Sequence, residues 1–360
     1  MLSADHVRAN LLVKLGELTG RTHALPLVLF APTARCNSRC VSCDWWRADG
    51  ASDLSRDEIA RLAAELPRFG TRVVVFTGGE PLVRPDVMEV ADLFRARGLV
   101  VHLLTSGLAL ERFAGEIAAR FADVTISLDG HTPELYRQIR GVNGLDAVEA
   151  GVRKLRALAT GIPVRARSTI HRLNFRFLPQ LVARAMEMGV DQISFLSADV
   201  SSAAFNRPVR LPVAGGGGGV GWEGEASSLL LTPDETAELS TIVEALIAAP
   251  EHARAFAERR IAPGPAGLRR LVQYYRAQLG LGSFPPVDCN APWTSVVIEA
   301  DGSLRPCFFH APVGNLRERP LADLLAQAMP AFRAALDVAT DPTCAKCVCT
   351  LRVGLRSKLW

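Results

Sequence analysis

Residues 27–43 read Leu-Val-Leu-Phe-Ala-Pro-Thr-Ala-Arg-Cys-Asn-Ser-Arg-Cys-Val-Ser-Cys, a short apolar run followed closely by three cysteines. The run Leu27–Phe30 predicts a strand that is covered on both faces. Cys36, Cys40 and Cys43 then place three thiolates on one loop, with the spacing C-x3-C-x2-C. Three thiolates can hold three corners of a cubane iron–sulfur cluster and leave its fourth iron open. A structural zinc ion needs four protein ligands, so zinc here would require a distant His or Cys as well.

Five further apolar runs follow the cysteine loop, and amphipathic stretches separate them. The predicted strands are 72–76, 99–104, 124–128, 164–170 and 192–196. Ser55 and Glu58 form a capping box ahead of the first helix. Further helices are predicted at 85–97, 147–158 and 178–188 from their apolar periodicity. Strands that alternate with helices predict an α/β fold with a parallel sheet, either open or curled into a barrel.

Polar or glycine-rich residues stand where most of these strands end. They occupy positions 78–81, 105–107, 127–130 and 168–169. Because the carboxyl ends of parallel strands lie at one edge of a sheet, these residues and the cysteine loop should converge on one site.

The composition changes at about residue 200. Five consecutive glycines at 215–219 predict either a flexible linker or a mobile lid. Thr232, Pro233 and Glu235 begin a helical region that is expected to continue to about residue 281. A strand at 296–299 before Asp301-Gly302 then predicts a hairpin. The predicted divisions are a helical extension (1–25), an α/β domain (26–200), a glycine-rich and helical linker (201–284) and a small C-terminal α+β domain (285–360).

A second group of cysteines lies in the C-terminal region. Cys289, Cys307, Cys344 and Cys347 supply the four ligands of either a closed zinc site or a fully ligated cluster, and Cys349 is a fifth thiol. A chain of this length without a secretory signal does not fit a disulfide framework. Four histidines stand apart from these groups and are expected to be surface or satisfied core residues: His102, His131, His171 and His310.

Composition excludes several classes of protein. The chain has 360 residues, of which 49% are hydrophobic and 22% charged, so it is not largely disordered. Its formal charge of +4 is small, which disfavours nucleic acid as the main partner. No apolar run reaches the roughly 18–20 residues of a membrane-spanning helix. We therefore expect a cytoplasmic protein without a membrane span.

The cysteine loop and a second motif together resemble the radical SAM superfamily. Gly78-Gly79-Glu80-Pro81 follows the second predicted strand. Taken alone it is a common turn, although two glycines let a ligand approach the backbone and a carboxylate can accept bonds from an ammonium group. In the family, C-x3-C-x2-C follows the first strand, and the glycine motif holds the amino group of S-adenosylmethionine (SAM). The resemblance implies that residues 26–200 form a partial (β/α)6 TIM-like barrel.

The same resemblance implies a chemistry and a set of site residues. Cys36, Cys40 and Cys43 would hold a [4Fe–4S] cluster whose open iron binds SAM, and reductive cleavage would yield a 5′-deoxyadenosyl radical that takes a hydrogen atom from substrate. The implied SAM-binding residues are Gly78, Gly79, Glu80, Pro81, Thr105, Ser106, Ser127, Asp129, Arg140 and Ser168. Relatives often carry an aromatic residue directly before the third cysteine, where this chain has Ser42; Trp45 and Trp46 could supply the stacking instead.

Downstream of such a core, the second cysteine group resembles the twitch domain, the short form of the SPASM extension. It implies an auxiliary [4Fe–4S] cluster on Cys289, Cys307, Cys344 and Cys347, and hence two clusters in all. Cys349 would be an alternative ligand, a hydrogen-atom donor or inert.

These expectations combine into a radical SAM iron–sulfur oxidoreductase. Only about 35 residues precede Cys36, fewer than a peptide-recognition domain needs, which favours two-electron oxidation of a small molecule. The alternatives are peptide modification (a thioether or carbon–carbon crosslink, or epimerisation) and a non-catalytic zinc-binding protein. A flavodoxin- or ferredoxin-type protein would supply the electron. The catalytic residues stay unknown; candidate proton acceptors are Asp199, Glu223 and Tyr274.

Overall fold

Six parallel strands in chain order form the centre of the fold in the computed structural model, which describes residues 3–202, 204–206 and 229–358. They are β1 (Leu27–Phe30), β2 (Val73–Phe76), β3 (Val100–Thr105), β4 (Val124–Ser127), β5 (Val164–Ile170) and β6 (Gln192–Ser197). Each predicted strand is present, and no end differs by more than one residue. The runs were readable because strands buried in a parallel sheet are almost continuously apolar.

Helices connect these strands, and further helices follow residue 230. The helices are α1 (Ala4–Thr19), α2 (Arg56–Glu65), α3 (Val87–Arg95), α4 (Leu110–Arg120), α5 (Pro133–Arg140), α6 (Leu145–Ala157), α7 (Leu178–Glu187), α8 (Pro233–Ala248), α9 (Pro250–Ala257), α10 (Pro265–Gln278), α11 (Ala291–Thr294), α12 (Leu321–Asp323), α13 (Met329–Ala335) and α14 (Pro342–Ala345). In the described part of the chain, no helix has both the length and the apolar content needed to cross a membrane.

The expected unbroken helical region up to residue 281 is interrupted by a strand. β7 (Ile261–Ala262) lies between α9 and α10 and pairs in parallel with β6. Pro263 follows directly, and a proline cannot donate the N–H that would continue a helix. The expectation of continuous helix was therefore wrong at this point.

The C-terminal region adds three strands to the same sheet. β8 (Ser295–Ile298) pairs in parallel with β1, while β9 (Ser303–Arg305) and β10 (Gly314–Asn315) extend it antiparallel. The hairpin predicted around Asp301 and Gly302 is confirmed as the β8–β9 turn. β1 pairs with β2 and β8, and β6 pairs with β5 and β7, so β1 and β6 do not pair with each other. The sheet therefore stays open as a partial (β/α)6 barrel.

The two faces of the sheet differ in what covers them. Phe30, Phe76 and Phe94 pack with ring centroids 5.4–5.7 Å apart on the face that the helices cover. The strand residues that alternate with these buried positions, such as Val75 and Ser127, are only partly buried. We call this second, less covered side the open face of the sheet. A reactive site at the strand ends would therefore lie over the open face.

The capping box of α2 provides a prediction on stability. The Ser55 hydroxyl accepts a bond from the Glu58 N–H at 3.3 Å, and the Glu58 carboxylate accepts one from the Ser55 N–H at 2.7 Å. Ser55→Ala removes a cap acceptor, so we expect the free energy of unfolding to fall by about 1 kcal/mol. Urea titration of the metal-free protein measures this change; an unaltered midpoint would show that the cap contributes nothing.

Candidate functional site

The first cysteine loop leaves the C-terminal end of β1 and is held by the end of α5. The N–H of Arg39 donates to the carbonyl of Arg140 at 2.8 Å, and the N–H of Val41 donates to that of Ile139 at 3.0 Å. Gly141 ends α5 with φ +70°, and a Cβ there would lie 2.5 Å from the carbonyl oxygen of Arg39. The Arg-Gly pair thus lets the helix end approach the cysteine loop closely.

Three of the eight cysteine sulfurs receive a hydrogen bond from the backbone N–H two residues later. The pairs are Ser38 to Cys36 at 3.5 Å, Ala291 to Cys289 at 3.5 Å, and Cys349 to Cys347 at 3.4 Å. The backbone N–H groups of Trp45 and Phe309 similarly lower the pKa of Cys43 and Cys307 against the larger effect of burial. A donor aimed at sulfur stabilises a thiolate, and hydrogen bonds to the sulfurs are one of the means by which proteins tune iron–sulfur centres. The pattern occurs in both cysteine groups and fits metal-binding thiolates.

The three thiols of the first loop lie close enough to affect one another. Burial and, to a smaller extent, the neighbouring Cys40 together raise the pKa of Cys36 to about 11 and that of Cys43 to about 12. Thiols with such pKa values are neutral without metal, so binding a cluster would release their protons.

The first loop also holds a polar group without a protein partner. The hydroxyl of Ser38, between the cysteines, is buried and has no hydrogen-bond partner among the described residues. An orphaned polar atom beside three thiols fits a loop that holds a bound group.

The glycine-containing turn after β2 touches the segment that leads into the cysteines. A Cβ on Gly78, whose φ is +95°, would lie 2.4 Å from that of Ala31. A Cβ on Gly79 would lie 2.2 Å from the carbonyl oxygen of Arg35, which also accepts the Glu80 N–H at 2.8 Å. Glycine is thus required at both positions because the turn packs closely against the segment that leads into the cysteines.

The carboxylate of Glu80 is buried and joins the ends of β2 and β3. Its Oε1 accepts bonds from the Leu82 N–H at 3.0 Å and the Thr105 hydroxyl at 2.7 Å, and its Oε2 accepts one from the Ser106 N–H at 2.5 Å. Ser106 also donates its hydroxyl to Asn37, inside the cysteine loop, at 3.3 Å. Oε1 thus uses both of its lone pairs, whereas Oε2 has one left, with which it can still accept an ammonium N–H.

Asp129 connects the ends of β4 and β5 to α5. Its Oδ2 lies 3.0 Å from Arg140 Nη1, and its Oδ1 accepts the Thr169 N–H at 2.8 Å. The Asn174 amide donates to the backbone carbonyls of Asp129 and Thr169, both at 3.0 Å. The polar strand end predicted at 168–169 includes Thr169, but no motif marked Asn174, because its contribution depends on which loops meet at this edge.

The remaining strand-end candidates lie on different faces. Ser127 is partly buried on the open face. Ser168 alternates with the core residues Ala166 and Ile170, is fully buried, and has an unpartnered hydroxyl among the described residues. Arg167 is exposed on the open face and donates to the Ser194 hydroxyl at 3.3 Å. Pro81 begins a short 3₁₀ turn beside Glu80.

The five C-terminal cysteines come together as a second group. The charge of Cys289 raises the pKa of each of Cys307, Cys344, Cys347 and Cys349, after the larger effect of burial. Arg167 lowers the pKa of Cys349, which places this cysteine near the open face of β5.

His310 belongs to this second group, contrary to the expectation that it is isolated. Its Nε2 lies 3.4 Å from the sulfur of Cys344 and 3.7 Å from a carboxylate oxygen of Asp341. The sequence could not show this, because 34 residues separate the two partners.

The candidate proton acceptors have different surroundings. Asp199 accepts bonds from the N–H and hydroxyl of Ser201, both at 3.1 Å. The buried Tyr274 hydroxyl donates to the Ala198 carbonyl at 3.0 Å. Glu223 and the five-glycine run lie outside the described residues.

Comparisons with known proteins identify two domains. A model of the radical SAM superfamily matches residues 30–172, and a model of the SPASM iron–sulfur cluster-binding domain matches residues 289–348. A probable GTP 3′,8-cyclase of Thermococcus kodakarensis is 35% identical over 38% of this chain and 45% of its own length. The PqqA peptide cyclase of Rhodopseudomonas palustris is 32% identical over 53% of this chain and 52% of its own. The chain thus spans about half the length of the curated relatives it matches.

Solved structures show the same fold. SuiB of Streptococcus suis with bound S-adenosylmethionine has a TM-score of 0.61 at 14% identity, covering 96% of this chain and 77% of its own. The structure of anSMEcpe with bound AdoMet has a TM-score of 0.59 at 16% identity, covering 88% of this chain and 84% of its own. The resemblance expected from the two cysteine groups is confirmed at the level of domains: residues 30–172 form a radical SAM domain and residues 289–348 a C-terminal SPASM iron–sulfur cluster-binding domain.

Proposed function

We propose that this chain reductively cleaves SAM at a [4Fe–4S] cluster held by Cys36, Cys40 and Cys43. Bound there, the cluster and SAM together supply a 5′-deoxyadenosyl radical that removes a hydrogen atom from substrate. The observation that carries the proposal is the convergence of the three-thiol loop with Glu80 and the Asp129–Arg140 pair at one strand edge.

The polar residues at this edge would orient SAM. We assign this role to the ten residues that match the family's motifs: Gly78, Gly79, Glu80, Pro81, Thr105, Ser106, Ser127, Asp129, Arg140 and Ser168. Glu80 and Asp129 also connect neighbouring strand ends, so they would hold the binding edge rigid as well as contact the ligand. Rigid support of this kind keeps the reacting groups aligned.

Anaerobic reconstitution with iron and sulfide tests the proposal. The protein should turn brown and, once reduced, should convert SAM to 5′-deoxyadenosine and methionine. A colourless protein that binds zinc and leaves SAM intact would overturn the proposal in favour of the non-catalytic alternative. A flavodoxin- or ferredoxin-type reductant, a cytoplasmic location and the absence of a nucleic-acid partner belong to the same proposal.

We further propose an auxiliary [4Fe–4S] cluster on Cys289, Cys307, Cys344 and Cys347, and a two-electron oxidation of a small molecule. The substrate would lie over the open face, where Arg167 is exposed and Cys349 is nearby. After the hydrogen atom leaves, the substrate radical would give up an electron and a proton, with the auxiliary site as electron acceptor. A product with the same oxidation level as its substrate would contradict this assignment.

Peptide modification is the second candidate, and one observation favours it. The PqqA peptide cyclase matches 53% of this chain, more than the GTP cyclase does. Extracts of the source cells, separated into peptide and small-molecule fractions, can be incubated with the reconstituted protein and SAM. Loss of two hydrogen atoms from a compound of the small-molecule fraction supports the first candidate, and a modified peptide supports the second.

Removing auxiliary ligands should separate SAM cleavage from substrate oxidation. In the Cys344→Ala/Cys347→Ala variant, we expect some 5′-deoxyadenosine formation to persist, because the first loop is untouched. Product formation should be lost, because the electron acceptor would be missing. Both products can be quantified in one chromatogram; full product formation would show that the second site is not needed for the reaction.

A further inference from the structure

The auxiliary cysteines do not all receive the same hydrogen bonds. The sulfurs of Cys289 and Cys347 accept the backbone N–H two residues later, and the backbone N–H groups of Phe309 and His310 lower the pKa of Cys307 against the larger effect of burial. Cys344 lies in the short helix α14, and its sulfur is instead contacted by the ring of His310, whose Nε2 is 3.4 Å away. At Cys344, the His310 side chain thus takes the place of the backbone donor that the other three cysteines have.

His310 is held in this position from several sides. Its carbonyl accepts a bond from Arg305 Nη1 at 3.0 Å, which fixes the backbone after β9. Its ring packs edge-on against Phe332 of α13, with centroids 5.0 Å apart, and its side chain is only 10% exposed. A ring that is buried and packed in this way has little freedom to turn away from the sulfur.

Asp341 holds the other partner of the contact. Its Oδ1 accepts the N–H groups of Thr343 at 2.9 Å and Cys344 at 2.8 Å, and so caps the start of α14. The same oxygen lies 3.7 Å from His310 Nε2. These two bonds fix the backbone of Cys344 beside the ring. Burial and the charge of the same carboxylate raise the pKa of the Cys344 thiol.

We propose that His310 donates a hydrogen bond from Nε2 to the sulfur of Cys344 and thereby raises the reduction potential of the auxiliary centre. This inference rests on the auxiliary cluster proposed above. A donor withdraws electron density from the sulfur and stabilises the reduced, more negative state of the centre. His310 is therefore a positioning and tuning residue, and the four cysteines remain the ligands.

The test compares the midpoint potential of the auxiliary centre in His310→Ala and His310→Gln. Both substitutions are made in full-length, reconstituted protein that also carries alanine at Cys36, Cys40 and Cys43, so that only the auxiliary centre gives a signal. His310→Ala should leave the iron content unchanged. At a fixed potential it should raise the ratio of oxidised to reduced centre about tenfold, which is about 59 mV for a one-electron couple. His310→Gln keeps an N–H donor and should restore part of this difference. His23→Ala, at an exposed histidine of the N-terminal region, is the control.

Three results would overturn the proposal. An unchanged midpoint potential in His310→Ala would show that the contact does not tune the centre. Loss of the auxiliary iron from both His310 variants would indicate that His310 is a ligand, provided that ¹⁵N-labelled histidine couples strongly to the reduced centre when His310 is present. A second site that stays colourless after reconstitution would show that no auxiliary cluster is present, and the proposed role of His310 would be wrong as well. SAM cleavage by the single His310→Ala variant tests the first site separately.

Discussion

SAM cleavage should fall to the level of an enzyme-free control when Cys36, Cys40 and Cys43 are all replaced by alanine. These thiols are the three ligands that we propose for the first site, and the sulfur of Cys36 receives a backbone N–H bond suited to a thiolate. Without them nothing at the end of β1 can retain the cluster that delivers the electron. Chromatographic assay of 5′-deoxyadenosine under reducing, anaerobic conditions measures the loss, and iron content should fall by about half if two equal clusters are present.

The reciprocal variant is the control for this result. Cys344→Ala/Cys347→Ala removes a similar amount of iron but leaves the first loop intact, so it should still form some 5′-deoxyadenosine. Residual cleavage by the triple variant above background would mean that other residues hold the cluster. That outcome would contradict the assignment of the first loop.

Gly79→Ala should impair the same site without removing any ligand. The new Cβ would lie 2.2 Å from the Arg35 carbonyl oxygen and 2.6 Å from that of Ala34, and both atoms belong to the backbone just before Cys36. Backbone atoms cannot rotate away as a flexible side chain can, so the turn and the cysteine loop must move apart. We expect the free energy of unfolding to fall by about 1–3 kcal/mol, as for other overpacked sites. SAM cleavage should fall about 10²-fold, since displacements of about 1 Å can cost that much.

Gly115→Ala is the matched control for this substitution. Gly115 lies within α4, and a Cβ there meets no atom within 4 Å. Alanine in a helix interior is favoured over glycine by roughly 0.5–1 kcal/mol, so this variant should be slightly more stable and fully active. Wild-type activity and stability in Gly79→Ala would show that the turn and the loop are less closely packed than these distances indicate.

Local sequence pattern revealed the strands of this sheet but not all of their partners. The strands from β1 to β6 were predicted to within one residue because each is an apolar run between turns or helices. β7 was missed because two residues are too few to form a pattern. The pairing of β8 with β1 was also missed, since no local signal specifies a partner more than 260 residues away.

Short motifs in the sequence indicate the chemistry that we propose for this protein, whereas the arrangement of its site depends on the folded chain. C-x3-C-x2-C, Gly-Gly-Glu-Pro and the later cysteines identify the family, because ligand type and spacing along a loop are local properties. The bonds of Glu80 to Thr105 and Ser106, the bonds of Asp129 to Arg140 and Thr169, and the contact of His310 with Cys344 each join residues distant in sequence. Only the packing of strands and loops brings such partners within hydrogen-bonding distance, so these contacts were decided by the tertiary structure.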